Sequence, residues 1–186
     1  MKERANSLVD RWTGNLRENF INNGGVEPGS SVSVQLNGSI IYYEEHVRGN
    51  KVGIPIGRQG PEDTPFDPDP TKIEGLYQSL LEEDGAISLT LLKATIEEME
   101  DIYLGTTSTG EDGIGYEELL LNIDHDGIDM DIKAQYQEIY NQIDSRTNII
   151  GNDDLYNSIQ GLVTLYKSDL FAVLNVQDAD GGTDGD

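Results

Sequence analysis

The chain has 186 residues, with 12 basic against 35 acidic side chains and a net charge of −23. So large an acidic surplus argues against nucleic acid and anionic membranes as partners, since both require a basic surface. Cysteine is absent, which excludes disulfides, thiolate nucleophiles and cysteine-ligated zinc. No apolar run reaches the roughly 18–20 residues of a transmembrane segment, and Met1 to Trp12 have no signal-peptide pattern. We therefore expect either a cytosolic protein or a chain that begins partway into a longer exported one.

The first predicted element is an amphipathic helix over residues 2–22, with Val9 and Ile21 beside its apolar stripe. The Asn-Asn-Gly-Gly sequence that follows is expected to end it. Because the stripe needs a cover, we expect residues 1–25 to form a linking or interface helix. The cover would come from a second copy, in a homo-oligomer, or from a missing N-terminal bundle. The stripe residues recur at four-residue intervals: Leu8, Trp12, Leu16 and Phe20.

The next stretch, residues 32–47, fits two structures. Its first apolar residues alternate with polar ones, and Asn37-Gly38 is typical of a two-residue hairpin turn. The apolar residues from Val32 to Val47 are also spaced three or four apart, as on a helix face. Local turn chemistry favours a hairpin over residues 32–43, with the helix as the alternative.

Residues 49–70 are rich in glycine and proline and predict one long irregular loop. Helices are expected after it near residues 70–81, 88–104, 116–121, 129–143 and 153–174. The predicted fold class is therefore all-α, a helical bundle over residues 26–175 with one long Pro/Gly-rich loop. A flexible acidic tail follows over residues 176–186. Ten residues are expected to be buried together in the bundle: Leu89, Leu92, Ile96, Met99, Ile132, Tyr136, Ile139, Leu155, Ile159 and Leu162.

Catalytic motifs are absent from the sequence. The two histidines, His46 and His125, form no zinc-binding pair, and neither a Gly-x-Ser-x-Gly elbow nor a phosphate loop occurs. A calcium loop is suggested by Asn122, Asp124 and Asp126, but Lys133 stands where an EF-hand needs its bidentate glutamate. We interpret these acidic residues as the N-terminal end of a helix.

Glu44, Arg48 and Lys51 are candidate ligand-binding residues. Glu44 precedes Arg48 by four residues, the order that favours a helical ion pair. Arg48 and Lys51 border the long loop, in a chain where basic residues are scarce. A solvated helix end is the alternative interpretation.

The acidic tail offers candidate metal ligands, because its flexible glycines could let several carboxylates collect around calcium. A solvated terminus that binds no metal is the alternative. The candidates alternate with other residues along the tail: Asp178, Asp180, Asp184 and Asp186.

Two strings, in this order, resemble the second half of the imelysin-like family. The string from Ile41 to Gly57, IYYEEHVRGNKVGIPIG, is similar to the family's middle segment, in which a Tyr-Tyr-Glu helix runs into a Gly-Ile-Pro turn. The string from Leu155 to Leu170 and the final Asp-Gly-Asp are similar to its last helix and terminus. The resemblance implies a helix over residues 31–48, where local chemistry favours the hairpin.

The resemblance also implies a function and a location. Imelysin-like proteins are all-helical, consist of two related bundles, and are exported to the bacterial periplasm or cell surface, often as lipoproteins. Some members are linked to iron uptake, and one branch is classed as metallopeptidases. The family's Gly-x-His-x-x-Glu motif, proposed to bind metal, has no counterpart here, since His46 is followed by Val-Arg-Gly and His125 by Asp-Gly-Ile.

Three functions follow as hypotheses. The leading one is a non-enzymatic imelysin-like module of the cell envelope, in the periplasm or at the cell surface, with a binding or uptake role linked to iron. The second is half of a metallopeptidase whose metal site lies in a missing N-terminal half. The third is a calcium-dependent adhesion or scaffold module that uses the acidic tail. Iron and calcium are thus the candidate cofactors.

Overall fold

The computed structural model describes residues 2–58, 86–107, 109–147, 149 and 153–179. These residues form α-helices and π-helical segments and contain no sheet, since their β pairing is confined to one bridge between Thr106 and Asp112. The predicted all-α fold class is confirmed. Over the same residues, every helix is too short or too polar to traverse a bilayer.

The helices, in chain order, are α1 (Lys2–Arg11), α2 (Arg17–Asn22), α3 (Ser31–Tyr42), α4 (Ile54–Ile56), α5 (Ala86–Leu104), α6 (Tyr116–Asn122), α7 (Asp126–Asp144), α8 (Asp153–Thr164) and α9 (Phe171–Leu174). Three π-helical segments connect neighbouring helices: π1 (Trp12–Leu16), π2 (Tyr43–Gly53) and π3 (Leu165–Leu170). The turns continue through π2 and π3, whereas π1 contains a kink at Gly14.

Four long helical segments pack side by side as a bundle. They are α3–π2–α4, α5, α7 and α8–π3–α9; each contacts the next, and the last contacts the first through α8 and π2. This closed ring encloses a single apolar core, as in other four-helix bundles. All ten residues predicted to be buried together lie in that core.

Residues 31–42 form helix α3, so the hairpin favoured by local turn chemistry is wrong and the helical alternative is confirmed. The side chain of Asn37 explains the difference, because it is buried and bonded to distant backbone. Its Nδ2 donates to the carbonyls of Ser33 and Gln177 at 2.9 and 3.0 Å. Its Oδ1 accepts from the Ala179 N–H at 2.7 Å. Tertiary bonding thus overrides the local preference for a turn.

The beginning of the predicted long loop is helical. Segment π2 continues to Gly53 and is followed by α4, in whose first turn Pro55 lies, a position that proline favours. Gly57 then adopts the left-handed conformation, φ +79°, and ends the helix. The rest of the loop, residues 59–70, and the helix predicted near residues 70–81 lie outside the described residues.

Two predicted helix starts lie further toward the N-terminus in the structure. Helix α5 begins at Ala86, so Ser88 is not its cap but a buried residue inside the helix. Helix α7 begins at Asp126 rather than near Asp129. Asp129 is buried and accepts a hydrogen bond from the Tyr103 hydroxyl at 2.8 Å, so its carboxylate serves packing between helices.

The N-terminal helix is bent and lies outside the core. Gly14 has non-helical backbone angles, φ −95° and ψ −144°, which kink the helix between α1 and α2. The rings of Trp12 and Phe20 lie 5.4 Å apart across this kink. Wherever burial is described in residues 2–22, the side chains are exposed, apart from the half-buried Phe20.

A matched pair of substitutions tests the core. Ile159 is fully buried, whereas Ile114 is 84% exposed. Ile159→Ala should lower the free energy of unfolding by about 2–5 kcal/mol, because it leaves a cavity. Ile114→Ala should change it by less than about 0.5 kcal/mol. Urea denaturation followed by circular dichroism measures both; equal losses would contradict the assigned core.

Candidate functional site

The carboxylate of Glu44, in π2, is buried between two cations. Its Oε1 lies 3.2 Å from Arg48 Nη2, one helical turn away, and its Oε2 lies 2.7 Å from Lys167 Nζ in π3. All three side chains are about nine-tenths buried. Charges removed from water to this extent need both ionic and hydrogen-bonding partners. Glu44 therefore joins two helical segments of the bundle through a buried ion pair.

Arg48 extends the cluster toward α8. Its Nη1 donates to Gln160 Oε1, and its guanidinium carbon lies 5.9 Å from the centre of the Tyr156 ring. At that distance a cation is attracted to the face of the aromatic ring. Arg48 Nε is buried and has no hydrogen-bond partner among the described residues.

Further charged residues surround this centre. Arg58 lies 6.0 Å from the same Tyr156 ring and donates to Asp153 at 3.0 Å. That hydrogen bond holds the pKa of the Asp153 carboxyl below its usual range and raises the pKa of Arg58. Lys51, half-buried, lies three residues after Arg48 in π2. We name Arg48, Lys51, Arg58 and Lys167 the basic cluster.

The local backbone is π-helical on both sides of the ion pair. Glu44, Arg48 and Lys51 belong to π2, and Lys167 belongs to π3. Short π-helical stretches within α-helices occur frequently at functional sites. This coincidence of unusual backbone and buried charge makes the region the candidate functional site.

Four buried tyrosines lie in the core near this site. Tyr43 and Tyr166 are the sequence neighbours of Glu44 and Lys167, and the other two contact Tyr166. Tyr136 and Tyr166 share a hydrogen bond of 2.9 Å between their hydroxyls, and both rings lie near Tyr103. Burial raises the pKa of every one of these phenols, since the tyrosinate form is poorly solvated in the core. The four are Tyr43, Tyr103, Tyr136 and Tyr166.

The predicted ligand residues are thus brought together in part. Glu44 and Arg48 form the ion pair expected from their spacing, but the pair is buried and not at a solvated helix end. Lys51 lies near the C-terminal end of π2. Sequence reasoning missed Lys167, Gln160 and Tyr156, because they come from a helix far along the chain. The Tyr-Lys pair at 166–167, inside a string of the resemblance, was the signal that could have found Lys167.

Of the four predicted metal ligands, one is among the described residues and three are not. Asp178 is described, and its Oδ2 lies 3.9 Å from Lys167 Nζ. Asp180, Asp184 and Asp186 lie outside the described residues. Within the described part of the chain, no three His, Asp or Glu side chains are grouped as metal ligands would be.

A second surface feature is an apolar groove between α3 and α5, which the sequence did not predict. Its volume is about 630 Å³ and it opens to solvent. Apolar and small side chains dominate its lining, with Glu98 as its charged residue: Val34, Gly38, Tyr42, Leu91, Ala94, Met99 and Ile102.

Comparison with known proteins finds no matching family model, and neither a curated protein nor a solved structure matches the chain.

The buried tyrosines predict a loss of stability at high pH. The ordinary tyrosine pKa is about 10, and the folded-state values lie above it. Above that pH the unfolded chain loses protons that the folded chain retains, so the free energy of unfolding falls as pH rises. Each buried phenol should contribute a slope of up to about 1.4 kcal/mol per pH unit.

Urea denaturation at pH values from 9 upward measures this slope, and tyrosinate absorbance identifies the groups. The absorbance of the buried tyrosines should appear only together with loss of the helical circular dichroism signal. Ionisation of all nine tyrosines with the helical signal intact would contradict their burial.

Proposed function

We propose that the chain is a non-enzymatic, imelysin-like helical module of the bacterial cell envelope, with a binding role in iron uptake. One observation carries the proposal. The two strings that resemble the imelysin-like family, residues 41–57 and 155–170, pack against each other around Glu44. Segments that are far apart in the sequence and carry one resemblance thus form one cluster.

The chemistry of the cluster favours binding over turnover. Arg48 and Lys167 are both held by Glu44, and the Gln160 side chain holds Arg48 in addition. A catalytic group must be able to approach the substrate and exchange protons with it. Groups fixed in mutual ion pairs instead provide a rigid and charged support for a ligand.

The basic cluster indicates the kind of ligand. Eight basic residues lie outside the N-terminal helix, and four of them form this cluster, in a chain whose net charge is −23. Among the described residues, these four cations outnumber the three carboxylates that pair with them, Glu44, Asp153 and Asp178. Such a local excess of positive charge attracts a small anion, whereas the acidic remainder of the chain repels it. We propose that iron is bound here as an anionic carboxylate chelate, beside Lys51 and the exposed edge of Arg58.

Calorimetric titration with ferric citrate tests this role, with iron-free citrate as the reference. Ferric citrate should bind saturably. Lys51→Met should weaken binding about tenfold or more, equivalent to about 1.4 kcal/mol. Lys93→Met, which removes the same charge from an exposed ion pair on α5, should leave binding unchanged. Absence of saturable heat, or equal effects of the two variants, would contradict the site.

The enzymatic alternative is tested on the same sample. Peptide hydrolysis should be undetectable with and without added zinc. Hydrolysis that a chelator abolishes would replace this proposal with the metallopeptidase one. Fractionation of the producing bacterium should find the protein in the envelope; recovery from the cytosol alone would contradict the proposed location.

A further inference from the structure

The apolar groove between α3 and α5 is open although its walls are apolar. Val34 and Tyr42 on α3 are 54% and 50% exposed, and Leu91 on α5 is 40% exposed. The middle of the groove is formed by small residues, among them Gly38 and Ala94. Large residues at the ends and small ones in the middle leave room for a helix to approach closely. An exposed apolar surface of this kind marks an interaction site.

The N-terminal helix carries the complementary feature. Val9, Trp12, Leu16 and Ile21 are between 43% and 59% exposed. The helix contributes no buried residue to its own bundle in the part that the structure describes. Within the described residues, the exposed apolar side chains of this kinked helix and the groove between α3 and α5 are therefore both without a cover.

Hydrogen bonds tie the end of this helix to the turn before α3, and none of the described side chains of residues 2–22 lines the groove of its own chain. The Ser31 hydroxyl donates to the carbonyls of Phe20 and Asn23, and the Ser31 N–H donates to Asn23 O at 2.9 Å. The side chain of Asn23 in turn donates to Gly29 O at 2.9 Å. These bonds attach the C-terminal end of the N-terminal helix to the start of α3. Apart from the half-buried Phe20, the described apolar side chains of that helix remain exposed, so that another molecule can cover them.

Charge favours a second copy of this chain as that molecule. Residues 2–22 contain four basic and three acidic side chains, whereas the rest of the chain contains eight basic and 32 acidic ones. The N-terminal helix is therefore slightly positive, and the bundle that offers the groove is strongly negative. Glu98 lies in the groove wall itself. Opposite potentials of this kind attract the helix of one copy to the bundle of another.

We infer that the N-terminal helix of one copy docks in the α3–α5 groove of a second copy, and that the exchange is reciprocal. Each copy offers one helix and one groove, so a pair related by two-fold symmetry satisfies both and leaves none open. Reciprocal exchange closes the assembly at two copies, whereas one-way docking would build a filament. This inference does not depend on the proposed iron ligand, because the groove and the basic cluster share no residue.

Gly38 provides the test, because a side chain added there enters the groove without touching its own bundle. A Cβ atom at Gly38 meets nothing within 4 Å, and the same holds for Gly127 at the start of α7. Gly38→Gln therefore blocks the groove. Gly127→Gln is the matched control, because it makes the same glycine-to-glutamine change in another helix, at a position that does not line the groove. Leu16→Gln removes part of the stripe from the docking helix, outside the folded bundle.

Sedimentation equilibrium over the micromolar range measures the dimer, and the fluorescence of Trp12, the sole tryptophan, reports docking of the helix. The natural chain and Gly127→Gln should dimerise, with Trp12 emission shifting to shorter wavelength as the concentration rises. Gly38→Gln and Leu16→Gln should raise the dissociation constant at least about tenfold, with unchanged circular dichroism.

Three results would overturn the inference. A chain that stays monomeric with solvent-exposed Trp12 has no such contact. A monomer whose Trp12 emission is already at short wavelength covers the helix within one chain. A dimer that withstands Gly38→Gln uses another surface.

Discussion

The ion pair between Glu44 and Lys167 joins the two helical segments that carry the candidate site. Burying these charges costs several kcal/mol per ion, which only close and hydrogen-bonded partners can offset. Here the partners come from both sides, since Arg48 and Lys167 approach the same carboxylate from π2 and π3. The position of π2 against the last helix is therefore fixed by charge as well as by apolar packing. The arrangement of Tyr156, Gln160 and Arg58 depends on it.

A second polar contact secures the other end of the same helical pair. The amide of Asn37 binds the backbone of residues 177 and 179, so the described beginning of the tail lies against α3. Val176 is buried at that point, and its N–H donates to Phe171 O at 2.8 Å. The core lies between these two polar contacts. Together they fix how far α3–π2 can slide along α8–π3–α9. The groove on the opposite side of α3 is then left without a cover from these helices.

The sequence predicts which residues face the core of the bundle, because apolar residues at helical spacing can be recognised from local sequence alone. Leu92, Ile139 and Ile159 are buried as expected. The hairpin prediction fails because Asn37 forms its bonds with residues 140 and 142 positions away. No local pattern contains that information. The same error hides the groove, whose wall is α3.

The candidate site, too, could be predicted from the sequence only where its contacts are local. Glu44 and Arg48 are one helical turn apart, so their pairing follows from spacing alone. Their burial does not, because it requires Lys167 and Gln160 from the last helix. Lys51 and Arg48 were singled out because cations are scarce, and this criterion would also have found Arg58. The spacing of residue types does not indicate that the backbone of this region is π-helical.

A double-mutant cycle between Glu44 and Lys167 tests the central claim most directly. Glu44→Gln alone leaves two buried cations without their carboxylate and should cost about 3–5 kcal/mol of unfolding free energy. Glu44→Gln combined with Lys167→Met should cost clearly less than the sum of the single changes, with a coupling of about 2 kcal/mol. The same cycle on the exposed pair Lys93–Asp144 should give a much smaller coupling. Equal couplings in the two cycles would contradict a buried ion pair that fixes the bundle and its site.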